Sequence, residues 1–309
     1  MEAESGGDPT APAILVLGAG GRIGGLLRRD WPTLLPAGSD LRWQARRRPD
    51  DCAAGEAWHI LAPLEDPATL ARAAEGVETI LCLAGVTPGH GGDLDDNARL
   101  AEAAIKAAQA SNQASSQNPV SDRKTRVLLA SSAAVYGNQP GVLSEEAPLH
   151  PANPYGAAKA AMEMRVLRLG AEAGVAVTAL RIGNIAGLDA ILGGWRPGFQ
   201  LDCFADGTTP RRSYIGVRML AQVLAALVQR PDLPKLVNVA QPGPVAMGDL
   251  LHAAGLDFSL RPAPDSAIPE VALEVTRLAG LLPPDVPLPL ADPAQLVAEW
   301  ATPMTEAET

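Results

Sequence analysis

Cysteine is scarce in this chain. Cys52, Cys82 and Cys203 form an odd, scattered set with no Cys-x-x-Cys spacing, which argues against a disulfide framework and against a cysteine-built zinc site. His59, His90, His150 and His252 also lack ligand spacing, so no metal centre is expected. Positive charge is in deficit: 25 basic residues against 35 acidic ones leave a net charge of -10. That balance opposes binding to a phosphate backbone or an anionic membrane surface, so neither nucleic acid nor membrane is an expected partner. No apolar run approaches the roughly 20 residues that span a bilayer. Residues 1–12 are acidic and Gly/Pro-bearing, without the basic-then-apolar order of a secretory leader, and read as a loose tail. A soluble, cytoplasmic protein with reduced thiols is the expectation.

What is present is an alternation of short apolar runs with helical stretches. Ala13–Leu17 is a continuous apolar run ending in glycines, the pattern of a parallel strand buried on both faces. Gly18, Gly21 and Gly24 follow in G-x-x-G-x-x-G spacing. Ile23 stands where a strict G-x-G-x-x-G would have its last glycine. Glycines allow a tight turn and close backbone approach, and the helix opening at Gly25 offers unpaired N–H groups to a pyrophosphate. Leu41–Ala45 alternates as a second strand and runs into Arg46-Arg47-Arg48. About 20 residues past such glycines an acid holds a ribose 2′-OH, whereas arginine suits a 2′-phosphate. Arg46 lies at that spacing, and Arg22 is placed to close on the same phosphate. NADP is therefore favoured and NAD is the alternative; a merely solvated basic run is the bland reading.

Thr79–Leu83 is a further buried strand entering Ala84-Gly85. On the next helix Asn97 shares a face with Ala101, Ala104, Ile105 and Ala108, and a buried amide needs partners. It either ties down backbone or orders water and a lysine in a proton relay. Ser111–Lys124 shows no periodicity and reads as an enlarged loop. The apolar run 127–130 ends in Ser131-Ser132, and 23 residues beyond Ser132 stands Tyr155, four before Lys159. Residues four apart share a helical face, so a Lys159 ammonium can sit beside the Tyr155 phenol and favour its ionised form. Such a phenol exchanges a proton with an alcohol or carbonyl, while a serine hydroxyl holds the same substrate oxygen. Val175–Leu180 is one more strand. The glycine- and aromatic-bearing stretch 187–212 reads as a wall over a substrate. Nine of the 28 prolines lie after residue 260, which suggests an irregular, partly helical cap.

These motifs together resemble the extended short-chain dehydrogenase/reductases, the NAD(P)-dependent epimerase/dehydratase group. The likeness rests on Gly18-x-x-Gly21-x-x-Gly24, Leu83-Ala-Gly85, Asn97, Ser131-Ser-Ala-Ala-Val-Tyr-Gly137, the Glu145–Pro154 approach, Tyr155-x-x-x-Lys159 and Leu180-Arg-Ile-Gly-Asn184. The resemblance implies an α/β fold: a doubly wound parallel (Rossmann) sheet with a smaller C-terminal substrate-binding domain. Expected boundaries are a dinucleotide-binding domain over 13–186 and mainly a cap over 187–309, with 213–240 returning to the sheet. It implies Tyr155 as acid/base, Lys159 as its tuner and ribose anchor, and Ser132 and Asn97 beside them. The cofactor would touch Gly18, Gly21, Arg22, Ile23, Gly24, Arg46, Arg47, Leu64, Leu83, Ala84, Gly85, Tyr155, Lys159 and Gly183. Substrate would meet Thr87, Ser132, Asn184 and Arg212. A homodimer through the helices of Asn97 and Tyr155 is the family's expectation.

The chain departs from the family pattern at Pro63, where many relatives carry an aspartate, and at Gly216 and Arg218-Met219, where a histidine and two aspartates are common. The expected activity is hydride transfer at a secondary alcohol or carbonyl carbon, on a sugar or nucleotide-sugar. A carbonyl reductase using NADPH on a small substrate and a non-catalytic NADP-binding regulator are the alternatives.

Overall fold

The computed structural model describes residues 11–87, 91–117 and 124–301. His90 lies outside them. The chain runs β1 (Ala13–Leu17), α1 (Arg22–Leu34), β2 (Asp40–Ala45), β3 (Ala57–Ile60), α2 (Pro67–Ala73), β4 (Thr79–Cys82), α3 (Asp96–Gln117) and β5 (Arg126–Ser132). It continues through β6 (Val142–Leu143), α4 (Pro154–Ala173), β7 (Val177–Ile182), β8 (Asn184–Ile185), β9 (Gln200–Cys203), β10 (Arg211–Ile215), α5 (Val217–Gln229) and β11 (Leu236–Val239). The remaining elements are β12 (Pro244–Ala246), α6 (Met247–Ala253), β13 (Ser259–Pro262), β14 (Glu270–Leu273), α7 (Thr276–Leu281) and α8 (Pro293–Ala301).

Seven strands form one sheet in the order β11-β7-β5-β4-β1-β2-β3, every neighbouring pair parallel. The direction of winding reverses between β1 and β4, which opens a crevice at their carboxyl ends. Alternate residues of β1 divide between two cores. Ile14 and Val16 pack with Leu27 and Trp31 of α1 and with α5, whereas Leu15 and Leu17 pack with α2, α3 and Met162 and Val166 of α4. Burial on both faces explains why this strand is continuously apolar. A smaller sheet, β12-β10-β14-β6 with β8 beside β10, and the β13-β9 pair lie beyond the main sheet.

Two expectations meet a different arrangement. The polar stretch after Ser111 is not all loop, because α3 continues to Gln117. Tertiary bonds override its weak periodicity: Asn112 Nδ2 donates to Thr125 O at 3.0 Å, and Thr125 N donates back to Asn112 Oδ1 at 2.6 Å. Residues 118–123 of the expected loop lie outside the described residues. The unusual residues at the start of α5 are explained by the C-terminal helix. Glu299 Oε2 accepts from the N–H groups of Arg218 at 3.0 Å and Met219 at 3.3 Å, replacing the cap that α5 lacks locally. A Cβ on Gly216 would strike that carboxylate. Among the described residues no helix is long and apolar enough to cross a membrane.

Candidate active site

Side chains alternate along β5, so its two terminal serines face opposite ways. Ser131 is buried and donates to Glu163 Oε1 at 2.5 Å. Ser132 is half-buried; its Oγ accepts from Ala134 N at 3.2 Å and shares a hydrogen bond with the Tyr155 phenol. Asn153 caps α4 by accepting from Gly156 N at 2.8 Å, with Pro154 in the first turn. A Cβ on Gly156 would strike the Ala134 carbonyl, so glycine lets α4 press against the turn behind Ser132. That contact carries Tyr155 to the serine. One helical turn on, buried Lys159 donates from Nζ to Ala130 O at 2.9 Å, with the ammonium 5.8 Å from the Tyr155 ring centroid.

The electrostatics correct one expectation. Lysine is expected to pull the phenol down, but burial pushes the Tyr155 pKa up, opposed by the hydrogen bond with Ser132. Lys159 itself is lowered to about 8 by burial, against the favourable fields of Cys82 and Glu163. Its ammonium faces a backbone carbonyl at the strand end. The phenol is thus protonated at neutral pH.

Asn97 is committed to backbone, the blander of its two readings. Its Nδ2 donates to Val86 O and Leu94 O, both at 3.0 Å, and Oδ1 accepts from Val86 N at 3.2 Å. These bonds clip the segment after β4 to the start of α3. Gly85 completes the fit, since a Cβ there would meet Asn97 Oδ1 at 2.6 Å and Lys159 Nζ at 3.5 Å. Leu83 and Ala84 are half-buried on the same segment, and Thr87 beyond them is exposed.

The β1–β4 crevice fits a dinucleotide. Gly18 turns with φ +81° directly against Ala84, and its N–H is taken by Gln44 Oε1 at 3.0 Å. Gly24 packs against Ala19, while Gly20 and Gly21 are exposed and Ile23 is half-buried. Helix α1 starts at Arg22 with no side-chain cap, leaving its first N–H groups to an anion. Arg46 and Arg47 are exposed immediately after β2. Arg22, exposed in the glycine turn, donates from Nη1 to Leu188 O at 2.6 Å. Leu64 is 42% exposed and its neighbour Pro63 is buried.

Ser132 also lines an open cleft of about 180 Å³ together with Gly183, Asn184, Arg212, Asn153 and Ile268. Gly183 is pressed against the Ser213 carbonyl. Asn184 bonds with the buried Tyr214 phenol, which donates to Asp189 Oδ2 at 2.9 Å; burial pushes both the Tyr214 and Asp189 pKa values up. The Arg212 guanidinium is partly engaged by backbone, donating to Arg211 O at 2.7 Å and Ile268 O at 2.9 Å.

Beneath the serines lies a polar network that the sequence motifs do not announce. Arg181 pairs with Glu163 at 2.7 Å with both side chains nearly inaccessible, and Nη1 donates to Tyr136 OH at 2.9 Å. Tyr136 donates to Asn238 Oδ1 at 2.7 Å, and Asn238 N donates to Glu145 Oε1 at 2.8 Å. Its members come from α4, β7, β11 and the connection between β5 and α4, so only the fold unites them. A charged arginine in an otherwise apolar strand run, Leu180-Arg-Ile, is the one available signal. Among the described residues no cluster of potential metal ligands occurs.

No curated protein matches the sequence. Among solved structures, the chain is similar to a short-chain dehydrogenase/reductase superfamily protein from Agrobacterium tumefaciens with bound NAD (19% identity, TM-score 0.69, 94% of this chain and 96% of that one). It is similar to UDP-glucose-4-epimerase from Stenotrophomonas maltophila, with bound NAD and formylated UDP-arabinopyranose (17%, 0.69, 94% and 96%). It also resembles DesIV, a dTDP-glucose 4,6-dehydratase from Streptomyces venezuelae with NAD and TYD bound (19%, 0.66, 93% and 96%). With residues 14–240 matching the family as a continuous stretch, the chain belongs to the NAD dependent epimerase/dehydratase family, enzymes that use a nicotinamide cofactor.

Proposed function

We propose that the protein moves hydride between a nicotinamide ring and a secondary alcohol or carbonyl carbon of a sugar or nucleotide-sugar, with NADP as the preferred cofactor. The observation that carries this reading is the convergence of the Ser132 hydroxyl, the Tyr155 phenol and the buried Lys159 ammonium beside the cleft of Asn184 and Arg212. When bound, the nicotinamide accepts or gives the hydride and, oxidised, adds a positive charge that favours phenolate. Ser132 then holds the substrate oxygen, Tyr155 exchanges its proton, and Lys159, fixed on the Ala130 carbonyl, stands behind the phenol. Gly18, Gly21, Gly24 and the start of α1 hold the pyrophosphate. The exposed Arg46 and Arg47, standing where an acid would hold a ribose 2′-OH, support NADP. Likeness to a UDP-glucose-4-epimerase and a dTDP-glucose 4,6-dehydratase supports the nucleotide-sugar class.

A second reading, an NADPH-dependent carbonyl reductase on a small substrate, is favoured by Arg212, whose guanidinium already serves the Arg211 and Ile268 carbonyls. Net cofactor consumption separates the two, because an epimerase regenerates its cofactor in each cycle. The common chemistry is tested with Tyr155→Phe on the substrate found by screening nucleotide-sugars and carbonyl compounds. Turnover falls by about a hundredfold or more, the usual worth of a general acid/base, with the cofactor still bound. Near wild-type turnover would refute the assignment.

A further inference from the structure

The loop from Arg46 to Glu56 joins β2 to β3 and carries the three exposed arginines. It is held at both ends of the arginine run against the glycine turn. The place a Cβ would take on Gly20 lies 3.3 Å from Ala45 Cβ and 3.6 Å from Pro49 Cγ. The far side of the loop is fastened to α1 by one residue. Arg28 Nη2 donates to both carboxylate oxygens of Asp51 at 2.9 Å, and Nη1 donates to the Asp51 carbonyl at 3.4 Å. The same guanidinium lies 3.8 Å from Glu56 Oε2 and stacks over Trp58 at 5.2 Å, and Trp58 Nε1 donates to that Glu56 oxygen at 2.8 Å. The Arg28 side chain is only 6% exposed, whereas that of Asp51 is 73% exposed. Cys52 adds a bond from Sγ to Pro49 O at 2.8 Å.

Three adjacent arginines repel one another and would otherwise lose considerable freedom on meeting a ligand. A loop ordered beforehand lowers that cost. We propose that Arg28, through its clasp on Asp51, is a positioning residue that sets cofactor choice: it holds Arg46 and Arg47 beside the glycine turn to receive the ribose 2′-phosphate, and it neutralises a carboxylate of the same loop that would repel that phosphate. The inference rests on the NADP reading above. A phosphate dianion gains from both effects, and a 2′-hydroxyl from neither. The clasp therefore acts on discrimination between NADP and NAD rather than on dinucleotide binding as a whole.

Equilibrium titration of the full chain with NADP+ and NAD+ needs no knowledge of the substrate. Arg28→Leu frees the loop and uncovers Asp51 together, so NADP+ binding weakens by about tenfold while NAD+ binding changes by less than about twofold. Asp51→Ala, on an exposed side chain, preserves the fold should Arg28→Leu fail to. It lowers the preference for NADP+ by about threefold and speeds tryptic cleavage after Arg46 and Arg47, and saturating NADP+ suppresses that cleavage more than saturating NAD+ does. Equal weakening towards both cofactors, or an unchanged ratio and unchanged cleavage in Asp51→Ala, overturns the clasp alone. Wild-type protein that binds NAD+ as tightly as NADP+ overturns the cofactor reading and the clasp with it.

Discussion

Lys159 is the residue where function opposes stability, and the conflict can be measured. Burial lowers its pKa from 10.5 to about 8. At roughly 1.4 kcal/mol per pH unit, holding the ammonium in the folded protein costs about 3 kcal/mol at pH 7. Removing it also removes the bond to Ala130 O, worth about 1 kcal/mol. Lys159→Met, similar in length and apolar, therefore stabilises the cofactor-free protein by about 2 kcal/mol at pH 7, or ~4 °C in Tm for a chain of this size. The pH dependence carries the sign. Between about 8 and 10.5 the unfolded wild-type chain binds a proton at this site that the folded one does not. Wild-type stability at this site thus rises across that window, and the penalty is complete only below it. The advantage of the variant shrinks as pH climbs from 8 and is gone by about 10.5, where only the lost hydrogen bond remains. Thermal melts of both proteins between pH 7 and 10.5 test this. A variant less stable than wild type by the same amount at every pH would refute a desolvated ammonium. Under the proposed function the stabilised variant should also lose turnover.

Two further outcomes follow from the scaffold. Glu163→Gln removes the charge facing Arg181 in a pair that is 3% and 2% exposed, and should cost about 3–5 kcal/mol. A melting temperature within a degree of wild type would show that the network does not brace β5. Glu299→Ala leaves the Arg218 and Met219 N–H groups without their acceptor and should cost about 1 kcal/mol. Amide exchange confined to the first turn of α5 checks it, and unchanged protection there would count against the cap.

The strands on which the site is mounted were legible in the chain, because burial on both faces imposes unbroken apolar runs. Ala13–Leu17 and Thr79–Cys82 stand within a residue of their expected limits. The site motifs were legible where glycine or a four-residue spacing has a local geometric meaning, as in the Gly18 turn and the Tyr155–Lys159 pair. Reach was not legible. Arg22 stands in the glycine turn, yet its long side chain bonds the Leu188 carbonyl, and Asn97 holds Val86 backbone where a relay was equally consistent with its helical face. The span of α3 was misread for a related reason, since the bonds that extend it come from Thr125 on the next strand.

By itself the sequence determined the doubly wound sheet, the position of the glycine turn, and the residue types able to hold a proton beside a dinucleotide. These follow from local pattern: apolar runs, glycine freedom and helical repeat. Only the tertiary structure decided that burial raises the Tyr155 phenol and lowers the Lys159 ammonium, and that Arg181, Glu163, Tyr136 and Asn238 form one network. It also decided that Glu299, 81 residues from Arg218, caps α5. Desolvation and long-range hydrogen bonding depend on which distant segments are packed together, a relation that no local pattern encodes.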